Sequence, residues 1–207
     1  MRALADVAGW RGDFRIALNL SPSQIRNPLL LSTIDRALAT SGVAPSRLEL
    51  EITEGVLLDD AAAGAAFIKR MRSLGAEIAL DDFGTGYSSL SYLRRFRFDR
   101  VKIDRTFVRD IETSDEAQAI VSAITRLAEA LNMKTTAEGV ERPEQLDLLR
   151  KLGCDEAQGF LILEPVEAER IEQSRVRGED LPEVAEEIED YREARRAALT
   201  RSSQLGS

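Results

Sequence analysis

Leu48-Glu49-Leu50-Glu51-Ile52-Thr53 reads as a strand with one apolar and one polar face. A period of two places Leu48, Leu50 and Ile52 on one face of a strand and Glu49, Glu51 and Thr53 on the other. A parallel strand covered on both faces should be nearly all apolar, and this one is apolar on one face only. Reading outward, other segments repeat the theme of an apolar strand that ends in polar groups. They end Leu18-Asn19-Leu20-Ser21, Leu80-Asp81-Asp82, Val101-Lys102-Ile103-Asp104 and Ala137-Glu138-Gly139, and the last carries Gln158 before Gly159. The strands are expected at Phe14–Leu20, Leu48–Thr53, Glu77–Asp81, Arg100–Asp104, Lys134–Glu138 and Glu156–Leu161.

Helical periodicity fills the intervals, at Leu29–Thr40, Asp59–Leu74, Ser88–Phe96, Ser114–Leu131 and Pro143–Leu152. Gly42, Gly75 and Gly153 each follow a periodic run and predict helix C-caps. Ser114 predicts an N-cap, and Pro143 suits a first helical turn. Strands alternating with helices make parallel βαβ units, in an α/β fold that is either a barrel or an open sheet. Neither a G-x-G-x-x-G after the first strand nor a Walker A sequence is present, which weighs against a nucleotide-binding open sheet.

Composition limits the chemistry. The chain has 207 residues, no His and one Cys, Cys154. A Ser-His-Asp triad, a Cys-His pair, a His-ligated zinc site and an internal disulfide framework are all excluded. The net charge of −8 argues against binding a DNA or RNA polymer. No apolar run reaches the roughly 18 residues that span a membrane, and no signal-peptide core precedes Arg11. A cytoplasmic protein is expected.

Burying polar groups without partners costs several kcal/mol each. In a barrel the C-terminal strand ends converge on one site, so the polar ends are expected to converge on a cation. Asn19, Glu51, Asp81, Asp82 and Glu138 offer hard oxygen donors, which select Mg²⁺, Mn²⁺ or Ca²⁺. Each residue has a plainer reading by itself. Asn19 fits a cap on the turn at Ser21, Glu51 and Glu54 a solvated pair, and Asp81 and Asp82 N-caps. Lys102 and Asp104 fit an interior ion pair, and Glu138 and Glu141 a surface pair. Their recurrence at the same end of every strand favours the shared site. The Gly-rich segment Asp82-Phe83-Gly84-Thr85-Gly86-Tyr87-Ser88-Ser89 opens onto a helix and can present N–H groups to phosphate.

Taken together, Asn19-Leu20-Ser21, Glu51-Ile52-Thr53-Glu54, Asp81-Asp82-Phe83-Gly84-Thr85-Gly86, Val101-Lys102-Ile103-Asp104, Ala137-Glu138-Gly139-Val140-Glu141 and Gln158-Gly159-Phe160 resemble the EAL domain family over about residues 1–165. The resemblance implies a (β/α)8 TIM-like barrel that hydrolyses cyclic di-GMP to linear pGpG in bacterial second-messenger signalling. It implies that Asn19, Glu51, Asp81 and Glu138 ligate metal, with Asp82 serving a second metal. Two Mg²⁺ or Mn²⁺ per site would activate a water for in-line attack, and Ca²⁺ would inhibit. Lys102 would hold or deprotonate that water, making Lys102, Glu51, Asp81 and Glu138 the catalytic set. Glu54 would pin the loop bearing Gly84 and Gly86, and Asp104, Glu141 and Gln158 would complete the substrate site.

The family's Glu-Ala-Leu motif, followed two residues later by Arg, is absent. It belongs to a strand upstream of those seen here, so about six of eight strands are expected. The barrel part, 1–165, is also short of the ~250 residues typical of such barrels. The chain then reads as part of a longer protein, as a remnant that closes its barrel with its C-terminal helix or a second copy, or as an inactive EAL-like module. An inactive module would bind cyclic di-GMP or a protein partner. A barrel acting on another phosphate ester is a weaker alternative. The resemblance further implies a homodimer near the Gly-rich loop and an upstream sensor or cyclase-like domain in a parent protein. Residues 166–199, rich in Glu and Arg with a stripe at Leu181, Val184, Ile188 and Tyr191, predict a charged helical extension. Residues 200–207 predict a disordered tail.

Overall fold

Six strands form where apolar residues alternate with polar ones: β1 Ile16–Leu20, β2 Leu48–Thr53, β3 Glu77–Phe83, β4 Arg100–Ile103, β5 Lys134–Ala137 and β6 Glu156–Ala157. They are seen in a computed structural model, which describes residues 2–10, 14–59, 61–84, 93, 96–166, 168 and 171. All pairs are parallel and the order is β1-β2-β3-β4-β5-β6. A doubly wound sheet reverses its order at a switch point; this sheet never reverses. Crossovers of one hand taken in one direction place every connecting helix on the same face. That is the winding of a TIM-type barrel.

The helices are α1 Arg2–Asp6, α2 Pro22–Ile25, α3 Leu30–Ser41, α4 Glu54–Asp59, α5 Ala61–Leu74, α6 Arg105–Arg109, α7 Asp115–Ala130 and α8 Pro143–Lys151. Residues Met1–Leu161 make one compact unit and Ile162–Ser207 a second. The predicted extension at 166–199 and the tail at 200–207 lie outside the described residues, save 166, 168 and 171. So does most of the predicted helix Ser88–Phe96.

The predicted caps hold. Gly42, Gly75 and Gly153 adopt φ of 69°, 97° and 86°, the left-handed region that ends a helix. The Ser114 hydroxyl accepts from the Ala117 N–H at 3.1 Å and starts α7. Several element boundaries differ from expectation, and three of the differences bear on the site. β4 stops at Ile103 because the Asp104 carboxylate accepts from the Thr106 N–H at 2.9 Å and caps α6. Strand Glu156–Leu161 is only two residues long: after Ala157 the chain wraps the loop that follows β5, with Val140 N–H donating to Gln158 O and Leu161 N–H to Val140 O. The short helix α4, which precedes α5, is not visible in the apolar periodicity.

The two sheet faces differ in chemistry. Leu48, Leu50, Ile52, Ile78 and Ile103 are all 0% exposed and occupy one face. α5 packs on β3, and α7 packs on β4 and β5. Burying each such side chain contributes about 1.5–3 kcal/mol. Register partners across a parallel sheet share a face. Ala17, Asn19, Glu49, Glu51, Glu77, Ala79, Asp81, Arg100, Lys102, Lys134, Thr136 and Glu156 therefore line the other face. On its central strands Glu49, Glu51, Arg100, Lys102 and Thr136 are buried, while Ala17 and Asn19 on edge strand β1 are exposed.

Cys154 is buried, and desolvation pushes its thiol up to about 11. The thiolate is the reactive form, so the native protein is expected to resist iodoacetamide at pH 8 and to react only in urea; mass spectrometry of the alkylated chain checks this. Its folded thiol ionises later than the unfolded one, so this group's contribution to stability falls as pH rises from about 9 toward 11.

Candidate active site

Lys102 is the hub of the polar face. It is 5% exposed, and its ammonium lies 2.8 Å from Glu51 Oε2, 2.5 Å from Glu138 Oε1 and 3.3 Å from Asp81 Oδ1. Four consecutive strands, β2 to β5 with the residue that follows it, supply these groups. Burial opposes the Lys102 charge, but hydrogen bonds to Glu138 and Glu51, and their charges, outweigh it and hold the ammonium above its ordinary range. Burial raises the Glu138 carboxyl. Lys102 opposes that rise, while Asp81 and Glu51 add to it. Three carboxylates thus share one ammonium.

Asp82 joins them through a backbone irregularity. Strict alternation would send Asp81 and Asp82 to opposite faces. The register between β3 and β4 shifts between Leu80 and Phe83, and Asp82 adopts φ 54°. Such a bulge re-aims side chains, and a left-handed conformation in a non-glycine residue marks a constrained site. Carboxylate oxygens of Asp81, Asp82 and Glu138 lie within 4.8 Å of one another. Burial, then Asp81, then Asp104 raise the Asp82 carboxyl.

This set fits a hard divalent cation. All its donors are oxygens, and three converge within ligand range. Asp81 Oδ1 is buried and makes no aligned hydrogen bond, its 3.3 Å approach to Lys102 notwithstanding. A buried acceptor left so costs about 1–3 kcal/mol, which a cation would recover.

The other predicted residues take varied places. Asn19 is exposed on β1, with Glu51 as its register partner. Ser21, not Asn19, caps the turn that follows, through a capping box with Gln24. Asp104 makes no pair with Lys102; it caps α6. Glu54 is half-buried in the first turn of α4, where a carboxylate complements the helix dipole. Glu141 and Gln158 are exposed. Gly84 has φ 99°, and a Cβ there would lie 3.0 Å from the Phe107 ring. Gly86 and the rest of the Gly-rich loop from 85 lie outside the described residues. The tripeptide Glu129-Ala130-Leu131 ends α7 with Glu129 exposed, on a helix rather than a strand end.

Two contributors escaped the sequence reading. Gln145 is 1% exposed; its Oε1 accepts from the Glu141 and Arg142 N–H groups at 2.9 and 3.0 Å. Its Nε2 donates to Val108 O at 3.2 Å and Arg109 O at 3.4 Å, tying the loop after Glu138 to α6. A glutamine on a helix gives no signal of this. Arg100 is the other, and its two-residue offset from Lys102 was a legible signal.

Known proteins resemble this chain in sequence and in structure. Residues 1–165 match the family described as EAL domain. The chain is 42% identical over 163 residues to the "bifunctional diguanylate cyclase/cyclic di-GMP phosphodiesterase MucR" of Pseudomonas aeruginosa, covering 79% of this chain and 24% of that protein. Among solved structures, a "PaMucR phosphodiesterase, c-di-GMP complex" superposes with TM-score 0.78 at 40% identity, over 82% of this chain and 70% of that one. A manganese and cyclic di-GMP complex of Klebsiella pneumoniae BlrP1 gives 0.72 at 36% identity, over 77% and 41%. The chain spans about a fifth to just under a third of the length of the curated relatives it matches.

Proposed function

Because this chain belongs to the EAL domain family, we propose that it carries the site for hydrolysis of cyclic di-GMP to linear pGpG in bacterial signalling. The observation that carries the reading is the set of Asp81, Asp82 and Glu138 oxygens within 4.8 Å, beside a Lys102 held by Glu51 and Glu138. Named relatives act on or bind the same dinucleotide. Asn19, Glu51, Asp81, Asp82 and Glu138 would hold two Mg²⁺ or Mn²⁺. When bound, these ions supply Lewis-acid activation of water and offset the phosphate charge. Ca²⁺, larger and looser in geometry, is proposed to bind and inhibit.

Burial opposes the charge on Lys102, but its carboxylate partners outweigh it and hold the ammonium above its ordinary range. Those partners are the groups a cation would engage, so Lys102 is proposed to hold the attacking water by donating hydrogen bonds or to take its proton. Asp104 and Glu141 extend the acidic rim, and Gln158 offers an exposed amide to substrate. Glu54 is proposed to steady the loop that bears Gly84 and Gly86.

A parent protein with sensor or cyclase-like domains, a homodimer near the Gly-rich loop and a cytoplasmic setting belong to the same proposal. Among the described residues, no helix is long and apolar enough to cross a membrane. A second reading is a module that binds cyclic di-GMP without cleaving it. Incubating the chain with cyclic di-GMP and Mn²⁺ and following pGpG by chromatography separates the two. Linear product is expected; tight binding with no product would establish the second reading.

A further inference from the structure

A second charged layer lies under the carboxylate site. Glu49, Arg100, Thr136 and Glu156 each precede by two residues a predicted site residue on the same strand or its extension: Glu51, Lys102, Glu138 and Gln158. Arg100, 4% exposed, donates from Nε to Glu49 Oε2 at 2.8 Å. Its Nη1 donates to Glu156 Oε2 at 2.6 Å and to Thr136 Oγ1 at 2.7 Å. Arg15 pairs with Glu77 at 2.5 Å and approaches Glu49 Oε2 at 3.7 Å. Lys134 lies 4.0 Å from Glu156. Ala79, the register partner of Arg100, is small and leaves room for the long side chain.

The two layers differ in balance. In the upper one Glu51, Asp81 and Glu138 share the Lys102 ammonium, and Asp82 feels Lys102 and Arg105, so four carboxylates outnumber the cations that face them. The lower one sets Glu49, Glu77 and Glu156 against Arg15, Arg100 and Lys134, three against three. Barrel interiors are ordinarily packed with branched apolar residues. Replacing a buried ion network by apolar groups is often neutral or stabilising, so packing alone does not call for these charges.

We propose that the lower layer is a charge-balanced floor with Arg100 as its positioning residue: by occupying Glu49 and Glu156, it confines divalent cations to the carboxylates above. The inference rests on the metal-site reading given above. It predicts that unbalancing the floor creates a new cation site.

Bound Mn²⁺ per chain, counted by the loss of the free-ion signal in electron paramagnetic resonance, is the test. Arg100→Met should bind at least one more Mn²⁺ than the unmodified protein. The triple variant R100M/E49Q/E156Q, which leaves no carboxylate stranded by the lost guanidinium, should return to the original count. Arg15→Gln tests the same point at a partly exposed residue where folding is not at stake, and should add a weaker site beside Glu77. The same count and an affinity within twofold in R15Q and in folded R100M would overturn the proposal, as would an extra ion that persists in the triple variant. Should R100M fail to fold, R15Q decides. No Mn²⁺ bound by the unmodified protein would instead overturn the metal reading, and this inference with it.

Discussion

Lys102→Met is expected to lower turnover of cyclic di-GMP by about 10²-fold or more at saturating Mn²⁺, the range in which a group that positions or deprotonates the nucleophile contributes. The same substitution should make stability metal-dependent. In the unmodified chain one ammonium neutralises parts of three carboxylates whose side chains are only 6, 13 and 21% exposed. Breaking a buried ion pair by removing one partner costs about 3–5 kcal/mol. For a chain of this size that lowers Tm by roughly 10 °C. Divalent cations bind the folded site and not the unfolded chain, so they stabilise by mass action. Mn²⁺ should therefore raise the Tm of Lys102→Met by more than it raises that of the unmodified protein. Thermal melts with and without Mn²⁺ check this; equal Tm increments would show that Lys102 and the cation do not share these carboxylates.

Gly159→Ala is expected to be the most destabilising single methyl addition in the described part of the fold. A Cβ at Gly159 would lie 2.1 Å from Val140 O, 2.3 Å from Val140 N and 2.7 Å from Val140 C. These are backbone atoms and cannot rotate aside. The close approach is held by hydrogen bonds on both sides, Val140 N–H to Gln158 O at 3.0 Å and Leu161 N–H to Val140 O at 3.0 Å. Separating the strands breaks these and shifts the loop that carries Glu141 and follows Glu138. A loss of about 3 kcal/mol or more is expected, in the upper range of point substitutions. Urea denaturation should show a lower midpoint at unchanged slope. Gly139 makes an informative control. It has φ 69°, and a Cβ there would meet the Arg105 Cβ at 2.7 Å. Its one contact under 3 Å is longer than the three at Gly159, so Gly139→Ala should cost less in packing, although the Arg105 Cβ is fixed by its backbone and the positive φ adds strain.

Much of the site was legible because a strand's alternation is a local property. The period of two in Leu48–Thr53 announced a polar face on β2, and Val101-Lys102-Ile103 did the same on β4. Once consecutive strands pair in parallel, those faces must coincide. That is why Glu51, Asp81, Lys102 and Glu138 could be grouped from the chain alone and are found grouped. The helix ends were equally local: Gly42, Gly75, Gly153 and Ser114 act within one turn of themselves.

Other features depend on segments far apart in the chain. Asp82 reaches the site only because β3 carries a bulge against β4, and nothing in Leu80-Asp81-Asp82-Phe83 states that the register shifts there. Asp104 reads by alternation as a strand-end group on the Lys102 face, yet its carboxylate caps α6 because the strand gives way to a helix one residue earlier. β6 is short because Gly159 must pass against Val140, 19 residues upstream. Arg100 is an ordinary surface cation until β2, β5 and β6 bring Glu49, Thr136 and Glu156 around it. Which residue types line each face is readable along the chain, because side chains alternate by 180° and caps act over one turn. Which charges neutralise one another and which are left over follows only from the folded arrangement, because Coulomb energy depends on separations in space that chain spacing does not set.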